Sequence, residues 1–507
     1  MELTTSDARL VDLRERLGRV MDLRAAANVL EWDQETYMPD GAAEARAAQI
    51  ATVRSLAHEH FTTDEIGRLL EDLEPEVEEL DPISTEAALV RIVRRDYDKA
   101  RKLPTSLVAR FAEAVSRAKQ AWKRARAEDD FPHFEPHLRS LIDLNVEKAE
   151  ALGYEEHIYD ALLDEYEPGM KTALVKQIFD DLRQDLVPIV EEIAGRPQVD
   201  DRILHQNFDP DLQWNFGMEI LKDFRYDFTR GRQDLSAHPF TTSFSISDVR
   251  ITTRITPDFL PSALFGTMHE AGHALYEQGI DPELERTPLA DGASLGIHES
   301  QSRLWENLVG RSRPFWQRYY PRLQSIFPKQ LGAVPLDAFY RAINKVEPGF
   351  IRVEADEVTY NLHIMLRFEL EMELIERRLD TSDLPAVWRQ RMQEYLGIQP
   401  RNDADGVLQD IHWSLGAFGY FPTYALGNLM STQIFEQAGR DLGDLDEAIA
   451  EGNFGELLAW LREHIHRYGR KLDALDLLER ATSQGLSASS WLAYVRRKYD
   501  QIYPPGS

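Results

Sequence analysis

Helical periodicity runs through almost the whole of this chain, and it limits the fold more than any other feature. Leu10, Leu13, Leu17, Val20 and Met21 recur largely at three- and four-residue steps, and the pattern carries on from Leu23 through Val29 and Leu30. Leu138, Leu141, Ile142, Leu144 and Val146 behave in the same way. Acidic and Arg residues fill the opposite faces, as on helices that meet water. Short clusters interrupt the pattern: Pro39-Asp40-Gly41, Pro168-Gly169, the stretch from Pro282 to Pro288, and Asp405-Gly406. They read as connections between helices rather than as linkers. One segment breaks the rule. Thr241 to Ile255, TTSFSISDVRITTRI, is rich in Thr, Ile, Phe and Val and alternates around Asp248. It fits two short strands or one long bent strand. The expected fold is nearly all-α, a single large helical domain over 1–507 with one small β element near 241–255.

Composition narrows the function. Lys and Arg total 58 against 87 Asp and Glu, a formal net charge of -29. Such a surface excludes nucleic acid and anionic membranes as natural partners, because both need basic patches. There are no cysteines, which excludes disulfides, thiolate metal sites and cysteine nucleophiles. No apolar run reaches 18 residues, so no membrane span is expected. The opening MELTTSDARL is acidic and polar, unlike a leader peptide, and the expected location is the cytoplasm.

Residues 268–276 read MHEAGHALY, so His269, Glu270 and His273 form H-E-x-x-H. On a helix, positions i and i+4 share a face, and two imidazoles there can reach one zinc ion. Glu270 sits beside the first ligand and can take a proton from water, whose pKa zinc lowers to about 7. Pro261 suits a first helical position and Gly279 the stop. Two core histidines on an ordinary helix would give the same letters. A catalytic zinc needs a third protein ligand. The longer pattern with a third His fails, because Tyr276 takes its Gly position and Gly279 its His position. The alternative is a Glu from a second helix. A turn-rich connection over 281–296 leads to HESQSRLWENLVG, with Glu299 near its start. Alone, Glu299 would simply favour a helix N-terminus; beside the motif it is the candidate third ligand.

Six segments then carry a resemblance: LEWDQETYMP from Leu30, DVRITT from Asp248, HEAGH from His269, HESQSRLWEN from His298, IRVEADEVTYNLH from Ile351, and GVLQDIHWSLGAFGYFPTYALGN from Gly406. In this order the chain resembles the Taq-type metallocarboxypeptidases. The resemblance implies a nearly all-helical single domain with a deep central groove, usually a homodimer. It implies a metal-dependent enzyme that removes C-terminal amino acids with broad specificity, using one zinc per chain that cobalt can replace. The metal residues carry over as His269, His273 and Glu299, and the base as Glu270.

Such an enzyme must grip a free carboxylate, a task suited to the planar fork of Arg. Arg352 is the first candidate and Arg250 the second. Either could instead be tied up internally, Arg352 with Glu354 or Asp356 and Arg250 with Asp248. The oxyanion of the reaction needs a hydrogen-bond donor. Tyr420 and His412 are candidates, with Tyr424 behind them, although close aromatic packing would explain the same residues. The second ring nitrogen of a ligating His needs an acceptor. Asp356, Glu357 or a backbone carbonyl could serve, and His298 is expected to point away from the ligands and at most to back them. Two rivals remain. One is a zinc oligopeptidase that cuts internal bonds or releases dipeptides. The other is a helical binding protein with a structural metal or none.

Overall fold

The N-terminal periodicity becomes one helix, Ala8–Thr36, whose first turn is capped by the Asp7 carboxylate accepting from Arg9 N–H at 2.8 Å. The computed structural model describes residues 7–504. The first six residues of the MELTTSDARL segment lie outside them. Leu10, Leu13, Leu17 and Val20 are fully buried, as their spacing predicts. The stripe then loosens, and Val29 is exposed. Pro39-Asp40-Gly41 leads into a short 3-10 turn, Asp40–Ala42, before the next helix, Ala43–Phe61. Among the described residues no helix is long and apolar enough to cross a membrane.

The contacts divide the chain into two units. The first takes the chain up to Arg101, then Asp200–Ile343 and Ile434–Gly485. Its N-terminal core joins the Leu10–Val20 face to Ile66, Leu70, Leu89 and Val93, and reaches Ile246, Ile280, Leu284 and Leu289. The last four flank the H-E-x-x-H helix in sequence, so this core also seats the motif. The second unit takes Lys102–Val199, Asn344–Gln433 and the chain from Leu486 onward. Its centre is Tyr360–Ile375, a helix buried on nearly every side.

The 241–255 segment forms two strands, and a third that the periodicity did not predict joins them. β1 (Gln233–Leu235) pairs parallel with β3 (Asp248–Thr253), and β2 (Thr241–Ser245) pairs antiparallel with β3. The sheet order is β1-β3-β2, with an irregular register between Ser243 and Ser245. β1 was hidden because it has only three residues, and QDL carries no strand signal.

The motif helix spans Leu260–Glu277 and starts with Pro261 in its first turn, as expected. It ends at Glu277, two residues before Gly279, whose backbone is not left-handed. Glycine is required there for another reason: a Cβ would lie 2.5 Å from the His466 ring. A second close approach matters more. A Cβ on Gly272 would meet Gln301 O at 2.5 Å and Ser302 Cα at 2.6 Å. Gln301 and Ser302 belong to the next helix, Leu295–Arg303, which carries Glu299 and is capped by Ser294 accepting from Ile297 N–H. The glycine of HEAGH therefore lets the two helix backbones that carry His269, His273 and Glu299 meet closely.

Gly272→Ala is expected to force that crossing apart, destabilising the protein by about 1–3 kcal/mol, as overpacking does. It should also weaken metal binding. Thermal unfolding of metal-free protein, with a parallel metal titration, checks both; an unchanged melting curve and affinity would mean that the crossing has room to spare.

Candidate metal centre and active site

The motif helix turns His269 and His273 toward the first turns of the Leu295–Arg303 helix. Glu299 Oε2 lies 3.6 Å from His269 Nε2 and 3.4 Å from His273 Nε2. All three donor atoms fall within 4.8 Å of one another. Donors about 2.0 Å from a tetrahedral zinc sit about 3.3 Å apart, so the spacing fits one ion. Two nitrogens and one carboxylate oxygen are also the donor types of a catalytic zinc site, which keeps its fourth position open. A structural zinc would need a fourth protein ligand, and the cluster found among the described residues has three.

The other ring nitrogens are both occupied. His269 Nδ1 is 2.9 Å from Glu306 Oε2, and His273 Nδ1 is 2.7 Å from His298 Nδ1. Asp356 and Glu357 do not take this task. Asp356 accepts from Val358, Thr359 and Glu347, and Glu357 from Tyr494, Lys498 and Tyr499. Sequence reasoning missed Glu306, although it lies seven residues beyond Glu299, two helical turns along the same face. The turn that carries it is π-helical, Leu304–Gly310, and such turns gather at functional sites.

Arg303 joins the carboxylates. Its Nε is 2.7 Å from Glu299 Oε1 and its Nη1 3.3 Å from Glu306 Oε2, while Arg311 also reaches Glu306 at 3.3 Å. Burial opposes ionising Glu299, but Arg303 and the two histidines outweigh it and hold the carboxyl well below its usual range. The same contest leaves Glu306 at about 2, through His269, Arg303 and Arg311. Burial drives His273 down to about 3, against the hydrogen bond to Glu299, so its ring is neutral and its lone pair available. Burial also works against a charge on His269, but Glu299 and Glu306 raise its pKa.

Glu270 is buried, and burial raises its pKa, while His269 and Thr241 pull the other way. The Thr241 hydroxyl, at the start of β2, donates to Glu270 Oε2 at 2.6 Å. The β segment is thus a wall of the site, as its place before the motif suggested. Arg250, on β3, closes its fork on Asp248 at 2.9 Å and stacks between Trp32 and Phe244.

The remaining candidates gather in the second unit. Arg352 is buried and sends Nε and Nη2 to Asp410 Oδ1 at 2.9 and 2.8 Å, and Nη1 to the Tyr360 hydroxyl. Its partner is Asp410, not Glu354 or Asp356. Arg367 binds the same carboxylate at 2.6 Å, so one aspartate faces two guanidinium groups and a positive charge is left over. Burial opposes ionising Asp410, but Arg352 and Arg367 hold it far below its usual range. His412 Nε2 is 3.3 Å from the Tyr424 hydroxyl, and burial lowers the imidazole to about 4. The rings of Tyr420, Tyr424 and His412 lie 5.2 to 6.2 Å apart, and Tyr420 also packs edge-on to Tyr166. Glu371 braces the loop that carries them, accepting from Trp413 Nε1 at 2.8 Å, Gly419 N–H at 3.0 Å and the Tyr159 hydroxyl at 2.6 Å.

A helical protein with an H-E-x-x-H helix and a carboxylate ligand from the next helix is a zincin-type metallopeptidase in form. The family described as carboxypeptidase Taq (M32) metallopeptidase matches residues 12–499, and the chain belongs to it. It is similar to thermostable carboxypeptidase 1 of Thermus thermophilus, with 43% identity over 98% of this chain and 100% of that one. The crystal structure of an M32 carboxypeptidase from Deinococcus radiodurans R1 matches with a TM-score of 0.95 and 40% identity, covering 98% of this chain and 100% of that one. Metallocarboxypeptidase 1 of Trypanosoma cruzi matches with a TM-score of 0.92 and 35% identity, covering 96% and 98%.

Glu306→Ala should lower zinc affinity by about 10- to 100-fold, whereas Glu270→Gln should leave it nearly unchanged. Competition with a chromophoric chelator measures both. Glu371 gives a pH prediction. Burial, against its three donors, raises its pKa from 4.5 to about 7. The folded state then holds this proton more tightly than the unfolded chain. Wild-type stability relative to Glu371→Gln should fall as pH rises from about 4.5 to about 7, by up to about 3 kcal/mol, and level off above. Denaturant midpoints of both proteins across that range report it; a constant difference would mean that the carboxyl is ionised throughout.

Proposed function

We propose that this chain is a zinc-dependent metallocarboxypeptidase that removes single C-terminal amino acids from peptides with broad specificity. The observation that carries the chemistry is the trio of donor atoms within 4.8 Å of one another beside a buried, tethered Glu270. Family membership carries the bond that is cut. His269, His273 and Glu299 would hold the zinc. When bound, zinc supplies a Lewis acid that brings the pKa of water near 7 and polarises the scissile carbonyl.

The chain's own residues do the rest. Thr241 holds Glu270 Oε2, which leaves Oε1 to take the proton from the attacking water. As the peptide C–N bond breaks, Glu270 returns that proton to the leaving amine. Tyr420 and His412 are the proposed donors to the oxyanion, His412 as a neutral imidazole. Arg352 is the proposed anchor for the terminal carboxylate, supported by the surplus positive charge it shares with Arg367 around Asp410. Arg250 is the second candidate, its fork already engaged by Asp248. We infer that residues 1–507 serve one reaction, since the family match runs from 12 to 499 in both units. The reading extends to one zinc per chain, cobalt as a substitute and a homodimer, all supported by the resemblance, and to a cytoplasmic setting.

One peptide in two forms tests this, with a free and with an amidated C-terminus, each incubated with zinc-loaded protein and followed by mass spectrometry. Stepwise loss of single C-terminal residues from the free form alone is expected, and Glu270→Gln should abolish it. Internal cuts in both forms would identify an oligopeptidase instead. No cleavage of either form by protein holding one zinc would overturn the enzymatic reading.

A further inference from the structure

His269 and His273 are equivalent in the motif but not in their support. His269 leans on a carboxylate, Glu306, whereas His273 leans on another imidazole. That imidazole, His298, continues outward: its Nε2 is 2.7 Å from Glu277 Oε1. Glu277 is buried at the last position of the motif helix, one turn beyond His273. A loop thus closes on itself, from the motif helix through His273, across to His298 on the ligand-bearing helix, and back to the motif helix at Glu277.

Hydrogen-bond roles along this path are restricted. A neutral imidazole has one donor and one acceptor nitrogen. His273 can present the Nε2 lone pair to a metal only if its proton is on Nδ1. Among the described residues, the atom placed to accept that proton is His298 Nδ1, at 2.7 Å. His298 must then carry its own proton on Nε2, where Glu277 accepts it. Every proton in the chain is fixed once Nε2 of His273 faces the metal.

His298 is also held so that it cannot turn away. A Cβ on Gly292 would fall 2.7 Å from His298 Cδ2, so a bare backbone presses against one edge of the ring. The Tyr276 ring lies 5.1 Å away, and its hydroxyl accepts from Ala293 N–H at 3.0 Å, tying the loop in place. A histidine serving only to fill space needs none of these alignments.

We propose that His298 and Glu277 are positioning residues for the metal centre, a relay that fixes the tautomer and orientation of His273 and so sets how tightly the metal is held. This rests on the reading of His269, His273 and Glu299 as ligands. The test uses the full-length protein stripped of metal, with zinc affinity read by chelator competition and site geometry by the visible spectrum of bound Co2+. His298→Leu removes the acceptor and keeps bulk; it should weaken zinc binding by about 10- to 100-fold and alter the cobalt spectrum. His298→Asn places an amide oxygen near the lost Nδ1 and should recover most of the affinity. Glu277→Leu leaves His298 without its anchor and should weaken binding by a smaller factor, which keeps the test intact if His298→Leu does not fold. The relay is wrong if Leu and Asn at 298 bind zinc as wild type does, or if they are equally impaired. It is also wrong if Glu277→Leu has no effect. Wild-type protein that holds no zinc, or His269→Ala that holds it as firmly as wild type, would instead overturn the metal centre itself.

Discussion

The metal centre depends on how closely two helix backbones can approach. His269 and His273 lie on one helix and Glu299 on the next, and their donor atoms meet only because Gly272 has no side chain at the crossing. A methyl group there would sit well inside van der Waals contact distance of a peptide oxygen. The motif therefore specifies more than ligands. Its x positions include the residue that permits Glu299 to approach, and the apolar flanks Leu264, Phe265, Met268 and Leu275 are buried around the helix.

Around that crossing, charge is taken out of water and must be matched. Glu299, Glu306 and Glu270 are all nearly inaccessible. Two of them are held ionised by Arg303, Arg311 and the histidines, so their electron pairs are available for coordination or for receiving an N–H. Glu270 has no guanidinium partner among the described residues, and burial leaves it with a raised proton affinity. Three buried carboxylates of the same type are thus given different proton affinities by which cations face them. The second unit uses the same device in reverse: Asp410 is shared by two arginines, and the excess there is positive.

Much of this was legible in the chain. The helices, the isolated β segment and the convergence of His269, His273 and Glu299 follow from period, turn residues and the chemistry of H-E-x-x-H. What was not legible has a common physical cause. β1 is too short to show a period, and Gly279, which marks the end of the motif helix as its type suggests, gave no hint of the His466 ring packed against it. Glu306 was hidden among 87 acids until a π-helical turn gave it a place beside His269. Asp410 was not paired with Arg352, because nothing in sequence spacing joins residues 58 apart. Spacing reports neighbours on one element; it is silent on what two elements bring together.

The contact between Gly279 and His466 has a further consequence. His466 Nε2 also meets Gln301 Oε1 at 2.9 Å, and its ring packs 5.2 Å from Tyr276, so one residue touches the rear of the motif helix and of the Glu299 helix alike. It comes nearly two hundred residues after His273 in the chain. On the ribosome the helices that carry His269, His273 and Glu299 emerge well before the residue that packs behind them. Until that later stretch of chain has been made, the rear of both helices lacks the contact that His466 supplies.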